Sequence, residues 1–295
     1  MTPRHEPVMV NEVLAFLEPM RGGVFVDCTV GLGGHARALL AAATTRVIGL
    51  DRDPAALAIA SETLREFRGR VELAHSDYRQ FDAVLDARGI RAVDGALADL
   101  GLSSFQLEAE GRGFSFQRED PLDMRMDTTT GATAAELVND ASERDLADVI
   151  YRFGEERFSR RVARAIVENR QTTPIRTTGQ LAAIVRHAIP RRGFSRIDPA
   201  TRTFQALRIW VNRELDGLDD FIARLAERLK TGARMVIITF HSLEDRIVKH
   251  TLRALAQRED ALVRVLTKKP VLPQPDEIDR NPRARSAKLR AAERV

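Results

Sequence analysis

Cysteine is almost absent from this chain of 295 residues, which contains Cys28 alone. One cysteine excludes a disulfide within the chain and a zinc site built from cysteines. The sequence also lacks any apolar run near the ~18 residues that a membrane span needs, and its start, "MTPRHEPVMV", has no features of a signal peptide. We therefore expect a cytoplasmic protein without a metal site. Its hydrophobic content of 44% is enough for one large domain or two ordinary ones.

The net charge is only +4, but positive charge is unevenly distributed along the chain. Residues 186–213 carry +6 and residues 264–295 carry +5, which leaves −7 for the remainder. Phosphate binding depends on local rather than total charge, so these two basic stretches fit a contact with nucleic acid. They fit solvated helix faces equally well. Arg191 and Arg192, between Pro190 and Gly193, are predicted to lie on an exposed loop where the two interpretations can be tested.

The first hundred residues alternate between strand-like and helix-like segments. Apolar runs predict strands, and a segment with helical spacing follows each of the first three. The predicted strands are 23–28, 45–51, 70–75 and 93–101, and the predicted helices are 35–43, 54–67 and 81–89. Strands separated by helices predict a parallel sheet with right-handed crossovers, and hence an α/β fold of the Rossmann-like type.

The alternation then stops, and residues 111–213 contain no convincing strand. Three helices are predicted there, at 143–153 capped by Ser142, at 179–189 capped by Thr178, and at 200–215. Sheet elements return afterwards, with a strand at 233–240, a helix at 242–256 and candidate closing strands at 261–267 and 285–295. The sequence thus predicts a discontinuous α/β domain, 1–110 and 214–295, with an all-helical domain inserted at 111–213.

The segment "VDCTVGLGGH", residues 26–35, places glycines after the first strand, where open α/β sheets bind their ligands. From Gly31 it fits the dinucleotide pattern G-x-G-x-x-G/A, and Asp51 follows twenty residues later. An NAD site is therefore one interpretation.

The position of the glycines favours another ligand. Asp27 ends the strand and three residues precede Gly31, whereas pyrophosphate binding needs the glycines directly after the strand. A carboxylate at this turn repels pyrophosphate and attracts an ammonium or sulfonium group, both of which S-adenosylmethionine carries. Asp51 can accept hydrogen bonds from both ribose hydroxyls, so S-adenosylmethionine is favoured over NAD.

The fourth predicted strand ends in "ADLGLSSFQ" and should lie beside the first strand in a wound sheet. Asp99 is then near the reactive end of the ligand, as a functional group or as an acid satisfied by backbone N–H groups. A later strand brings His241 and Ser242 to the same edge. No second histidine accompanies His241 as a metal ligand, and no G-x-S-x-G elbow supports a serine hydrolase.

Along nearly its whole length, the chain resembles the ribosomal RNA small subunit methyltransferase H family. Nine segments in order carry the resemblance: "HEPV" from residue 5, "DCTVGLGGH" from 27, "LDRDP" from 50, "DLGLSSFQ" from 99, "GRGFSFQREDPLDMRMD" from 111, "GEERFSRRVARAIV" from 154, "PATRTFQALRIWVNREL" from 199, "FHSLEDRIVK" from 240 and "NPRARSAKLRAAER" from 281. Nine ordered segments are far more specific than one glycine turn.

The resemblance implies an S-adenosylmethionine-dependent enzyme that methylates N4 of a cytidine in the decoding (P-site) region of bacterial 16S rRNA, within the small ribosomal subunit. The family's cofactor contacts correspond to Gly33, Gly34, His35, Asp51, Tyr78, Asp99 and Gln106. Tyr78 and Phe105 replace the phenylalanine and proline of some relatives, and either ring at position 78 can stack on adenine.

The resemblance also suggests a chemistry. The N4 amine of cytosine is a weak nucleophile, and a hydrogen-bond acceptor beside it would receive its proton. Asp99 is the candidate acceptor, although it can equally serve as a cofactor ligand only. The helical insertion and the C-terminal basic stretch would then contact rRNA phosphates. An NAD(P)-dependent oxidoreductase and a non-catalytic RNA-binding assembly factor remain the alternatives.

Overall fold

The structure, a computed structural model, describes residues 6–190 and 198–295. The chain folds into two compact units. One runs to Ser103 and resumes at Gly217–Val295, and the other is Ser104–Asp216. Over the described ranges, no helix has the length and apolar character needed to cross a membrane.

The first unit is built on a seven-stranded sheet in the order β3-β2-β1-β4-β5-β7-β6. Its strands are β1 Gly23–Asp27, β2 Thr45–Asp51, β3 Val71–His75, β4 Val93–Asp99, β5 Leu229–Thr239, β6 Val263–Val265 and β7 Lys288–Arg294. The first five are parallel, which confirms the parallel sheet predicted for the first four, whereas β7 runs antiparallel to both β5 and β6. The strand order reverses between β1 and β4, which is the point where wound sheets bind ligands.

Helices of the first unit pack against this sheet, and two hydrophobic clusters form the core. The helices are α1 Val10–Leu17, α2 Gly34–Ala42, α3 Pro54–Thr63, α4 Phe81–Asp86, α11 Leu218–Glu227, α12 Ser242–Ala256 and α13 Pro275–Arg280. Local sequence explains several of their starts. Asp53 caps α3 by accepting from Ala55 N–H at 3.0 Å, and Pro54 occupies the first helical position, where its missing N–H costs nothing.

The second unit is helical over its described residues, apart from a single β-bridge between Pro121 and Thr177. Its helices are α5 Ser104–Glu108, α6 Ala134–Asp140, α7 Glu143–Gly154, α8 Ser159–Thr172, α9 Thr178–Ala188 and α10 Ala200–Asn212. Ser142 caps α7 as predicted, accepting from Asp145 N–H at 3.1 Å. α7 ends at Gly154, where a Cβ would lie 2.5 Å from the Arg202 carbonyl oxygen, so the close approach requires glycine.

One sequence-based prediction needs correction here. The cap of α9 is Thr177, which forms a capping box with Gln180; Thr178 lies in the first helical turn and donates its hydroxyl to the Arg118 carbonyl. The two compact units divide at 103 and 216, and the domain bounds of 110 and 213 stay a prediction. The first division falls before residue 110 because the short helix α5, which has no clear sequence signal, belongs to the helical unit.

Candidate functional site

Three carboxylates stand at the ends of neighbouring strands, Asp27 on β1, Asp51 on β2 and Asp99 on β4. Asp27 is level with Gly49 of β2 and with Leu97 of β4. The two flanking strands therefore extend two residues beyond β1, and their terminal acids flank the turn that follows it. The sheet register thus gathers three acids at the reversal point.

The turn after β1 is held by both flanking strands. Cys28 N–H donates to the Leu97 carbonyl at 2.8 Å, and Val30 N–H donates to the Leu50 carbonyl at 2.7 Å. The Thr29 hydroxyl accepts from Asp99 N–H at 2.6 Å. This backbone network fixes the start of the glycine turn between β2 and β4.

Glycine is required in this turn for two different structural reasons. Gly31 and Gly33 adopt φ of 52° and 88°, a left-handed conformation that favours glycine, and Gly33 stands directly before α2. A Cβ on Gly34 would lie 2.9 Å from Pro7 Cγ. The absence of a side chain on Gly34 lets the N-terminal segment pack against the turn.

Asp51 organises this edge of the sheet through both carboxylate oxygens. Its Oδ2 accepts from Gly31 N–H at 2.8 Å, and its Oδ1 accepts from Asp53 N–H at 2.9 Å. Burial raises the pKa of Asp51, and these two backbone hydrogen bonds oppose the rise. Each oxygen keeps a further lone pair, so the carboxylate can still accept from a ligand hydroxyl.

Asp27 is only 1% exposed and is incompletely satisfied. Its Oδ1 accepts from Thr29 N–H at 3.2 Å, while Oδ2 has no hydrogen-bond partner among the described residues. Burial raises the pKa of Asp27 to about 7, opposed by His35 and the Thr29 hydrogen bond and reinforced by Asp99 and Asp51. A buried acid with a free oxygen is unfavourable in the protein alone.

His35 is held between Val8 and Asp99. Its Nε2 lies 2.8 Å from the Val8 carbonyl oxygen, which can only accept, so Nε2 carries a hydrogen. Its Nδ1 lies 3.9 Å from Asp99 Oδ2. The segment that carries Val8 is itself fixed, because Met9 N–H donates to the buried Glu277 at 2.6 Å. Burial raises the pKa of Asp99, and His35 opposes that rise.

Three other residues singled out in the sequence lie away from the ends of β1, β2 and β4. Tyr78 is 8% exposed, and its ring packs edge-on against Phe221 with the centroids 4.6 Å apart. Gln106 lies on α5 of the helical unit and is buried. His241 follows β5 and caps α12 in a capping box with Glu244. The sheet register gathers Asp51 and Asp99 with Gly33, Gly34 and His35, and Tyr78 begins a 3₁₀ turn shortly after β3.

The residues of the site fit a cationic nucleoside ligand. Three acids with raised pKa values face the reversal point, and the unpartnered oxygen of Asp27 lacks a donor that an ammonium group could supply. A pyrophosphate would be repelled by the same acids. The strand order and this acidic site define a Rossmann-like protein of the S-adenosylmethionine-dependent methyltransferase class.

The chain belongs to the MraW methylase family, whose model matches residues 2–295. It is 52% identical to ribosomal RNA small subunit methyltransferase H of Nitrobacter winogradskyi over 99% of this chain and 91% of that protein. It is 49% identical to the protein of the same name from Kosmotoga olearia, over 99% and 97% of the two chains. The sequence-based family prediction is confirmed, and the cofactor is S-adenosylmethionine rather than NAD.

Solved structures with lower similarity include an rRNA methylase from Streptococcus thermophilus, 12% identical with a TM-score of 0.44, covering 100% of this chain and 99% of that chain. Another is an S-adenosylmethionine-dependent O-methyltransferase from Thermotoga maritima, 14% identical with a TM-score of 0.45, covering 100% of this chain and 68% of that chain.

Carboxylates pair with the described basic residues of the first stretch and with part of those in the second. Described basic side chains of both form ion pairs within their own unit: Arg186–Asp198, Arg202–Glu156, Arg208–Glu214, Arg213–Asp216, Arg264–Glu293, Arg280–Asp276, Lys288–Asp245 and Arg290–Asp245. Arg191, Arg192 and Arg196 lie outside the described residues. Linear charge counting therefore overstates the positive charge that these stretches offer to a partner.

Proposed function

We propose that the protein transfers a methyl group from S-adenosylmethionine to N4 of a cytidine in the decoding (P-site) region of 16S rRNA, within the small ribosomal subunit and in the cytoplasm. The observation that carries the proposal is Asp99, an acid with a raised pKa at the end of β4 beside His35. The printed names of the relatives support rRNA as the substrate class.

The proposed cofactor-binding residues are Gly33, Gly34, His35, Asp51, Tyr78, Asp99 and Gln106, as the family resemblance implies. When bound, S-adenosylmethionine supplies an electrophilic methyl group on a positively charged sulfur. Asp51 is proposed to accept from the ribose hydroxyls. Asp27 has an unpartnered buried oxygen, and we add it to the set as the counter-charge for the cationic part of the cofactor.

Asp99 is proposed as the catalytic proton acceptor. The lone pair of the cytosine amine is delocalised into the ring, and a carboxylate that accepts a hydrogen bond from N4 localises that pair and takes the proton. An acid with a raised pKa performs this step better near neutral pH than an ordinary carboxylate. His35 Nδ1 lies 3.9 Å from the same carboxylate, and the Val8 carbonyl fixes the ring orientation, so His35 is proposed to position this end of the site.

The helical unit, Ser104–Asp216, is proposed to recognise rRNA. A base within folded RNA must be presented to the pocket of the enzyme, which favours a flipped or unpaired cytidine. Recognition therefore needs a surface that holds the surrounding RNA strand while the target base leaves its stack.

The deciding experiment is mass mapping of modified nucleosides in 16S rRNA from cells that lack the protein. We expect one N4-methylcytidine to disappear and to return with the wild-type chain. An Asp99→Asn chain that restores the modification fully would remove Asp99 from the mechanism. If no modification changes, the assembly-factor alternative replaces the enzymatic proposal.

A further inference from the structure

Arginines that no carboxylate neutralises are concentrated at one corner of the helical unit. Residues 151–161 comprise the C-terminal end of α7, the connecting turn and the start of α8, and we call them the hairpin corner. Within it, four arginine side chains are exposed, and none pairs with a carboxylate of the described residues: Arg152, Arg157, Arg160 and Arg161.

Two acids, Glu155 and Glu156, lie within the corner, so residues 151–161 keep a net charge of +2. Glu156 is buried, accepts from Phe158 N–H at 2.8 Å and lies 3.7 Å from Arg202. The first turn of α8 contains no acidic residue. Most described arginines of the two basic stretches are paired with acids, so the hairpin corner differs from the surfaces that charge counting singled out.

An exposed aromatic ring lies within the same corner. Tyr151 is 62% exposed, and no other aromatic side chain among the described residues is comparably open. Arg157 lies over the Phe158 ring with its guanidinium carbon 4.7 Å from the centroid, which restrains the arginine. Exposed rings interleaved with arginines are the combination that holds single-stranded nucleic acid, since bases stack and guanidinium groups bind phosphates.

We infer that the hairpin corner binds an unpaired stretch of RNA. Tyr151 stacks on a base, and the four arginines neutralise the adjacent phosphates. The inference rests on the proposed function, because it takes rRNA as the partner, and it assigns the contact to residues outside both basic stretches of the sequence.

Removal of two charges tests the phosphate contacts. The Arg160→Gln/Arg161→Gln variant is titrated with small subunits from cells lacking the protein, at several salt concentrations. We expect weaker binding and a log–log salt slope that is shallower by roughly 0.7 for each lost contact. The matched control is Arg253→Gln/Arg258→Gln, two exposed arginines of the α/β unit without a carboxylate partner among the described residues. An equal loss in both variants overturns the assignment, because the effect is then one of net charge.

Substitution of Tyr151 tests whether the RNA is unpaired. Loss of a stacked base typically weakens binding by ~5-fold to 100-fold. Tyr151→Leu should show a loss in that range, whereas Tyr151→Phe should bind as the wild type does. If Tyr151→Leu also binds normally, the corner does not stack a base and the unpaired-RNA assignment is overturned.

Methyl-transfer kinetics separate this inference from the proposed function. At saturating subunit, the arginine variant should keep the wild-type kcat with a raised KM, because the substituted side chains lie outside the proposed catalytic set. If the wild-type chain transfers no methyl group, the proposed function fails, and the binding titrations still test the corner. If the wild-type chain is active and the variant matches it in KM and binding, only the inference fails.

Discussion

Asp27→Asn provides a direct test of the electrostatics at the strand-end site. The wild-type carboxylate is 1% exposed and has a pKa of about 7 instead of 3.8. A tenfold change in a proton equilibrium corresponds to about 1.4 kcal/mol. Ionised Asp27 therefore costs the ligand-free protein on the order of 4 kcal/mol at pH 8. Asparagine keeps an oxygen for Thr29 N–H but cannot ionise.

The pH dependence of this cost has a definite direction. A carboxyl group whose pKa is raised by folding binds its proton more tightly in the folded state. Its contribution to stability is complete below pH 3.8, falls as the pH rises toward 7 and is constant above that value. Asp27→Asn should thus be nearly neutral at pH 3.5, and it should increase the free energy of unfolding progressively up to pH 7.

Urea denaturation of the ligand-free protein at pH 5 and pH 8 measures this difference. The matched control is Asp53→Asn, at another acid that is 1% exposed on the same edge. Asparagine and aspartate cap helices about equally well, so stability should change little there. If Asp27→Asn is less stable than the wild type at pH 8, the ionised carboxylate is satisfied in the folded state, and the argument for an uncompensated charge is wrong.

Four further outcomes follow from the same geometry. Affinity for S-adenosylmethionine, measured by calorimetry, should rise from pH 6 to pH 7 as Asp27 loses its proton; a flat profile would remove Asp27 from the site. Asp51→Ala should weaken that affinity roughly tenfold or more, and an unchanged affinity would contradict its assignment. Asp99→Asn should lower single-turnover methyl transfer at saturating cofactor by ~10²–10⁴, whereas a rescued rate would indicate a cofactor ligand only. Gly154→Ala should lower the thermal stability of the helical unit because its Cβ meets the Arg202 carbonyl, and an unchanged melting curve would show that the backbone adjusts.

Much of the α/β fold could be predicted because its elements carry local signals. β2 and α12 have the predicted bounds, since buried strands are apolar and the α12 segment is amphipathic. α8 was not among the helices predicted from the sequence, although Val162 and Ile166, which are buried, have helical spacing and could have indicated it. α1 has the same spacing at Val13 and Leu17 but no capping signal, because it follows a left-handed Met9 without a side-chain cap. The antiparallel β7 depends on pairing between distant segments, which no local pattern records.

The candidate site likewise has features that the sequence predicts and features that depend on contacts between distant residues. Strand-end positions of Asp51 and Asp99 follow from strand prediction and parallel topology. The orientation of His35 does not, because it depends on the Val8 carbonyl, 27 residues earlier in the chain. Ion pairing is equally non-local: Arg290 meets Asp245 from another element, so a basic segment in the sequence is not a basic surface in the fold.

Uncompensated charge is a property that the two proposed binding surfaces share. Many charges elsewhere are paired, as where Arg234 contacts both Glu18 and Glu293. In the α/β unit, the buried carboxylate of Asp27 lacks a donor for one oxygen. In the helical unit, the arginines of the hairpin corner lack acidic partners among the described residues. An unpaired negative charge favours the binding of a cation, and unpaired positive charges favour the binding of a polyanion. A sulfonium methyl donor and an RNA acceptor have these signs, which supports the proposal that the cofactor binds the α/β unit and the substrate strand binds the helical unit.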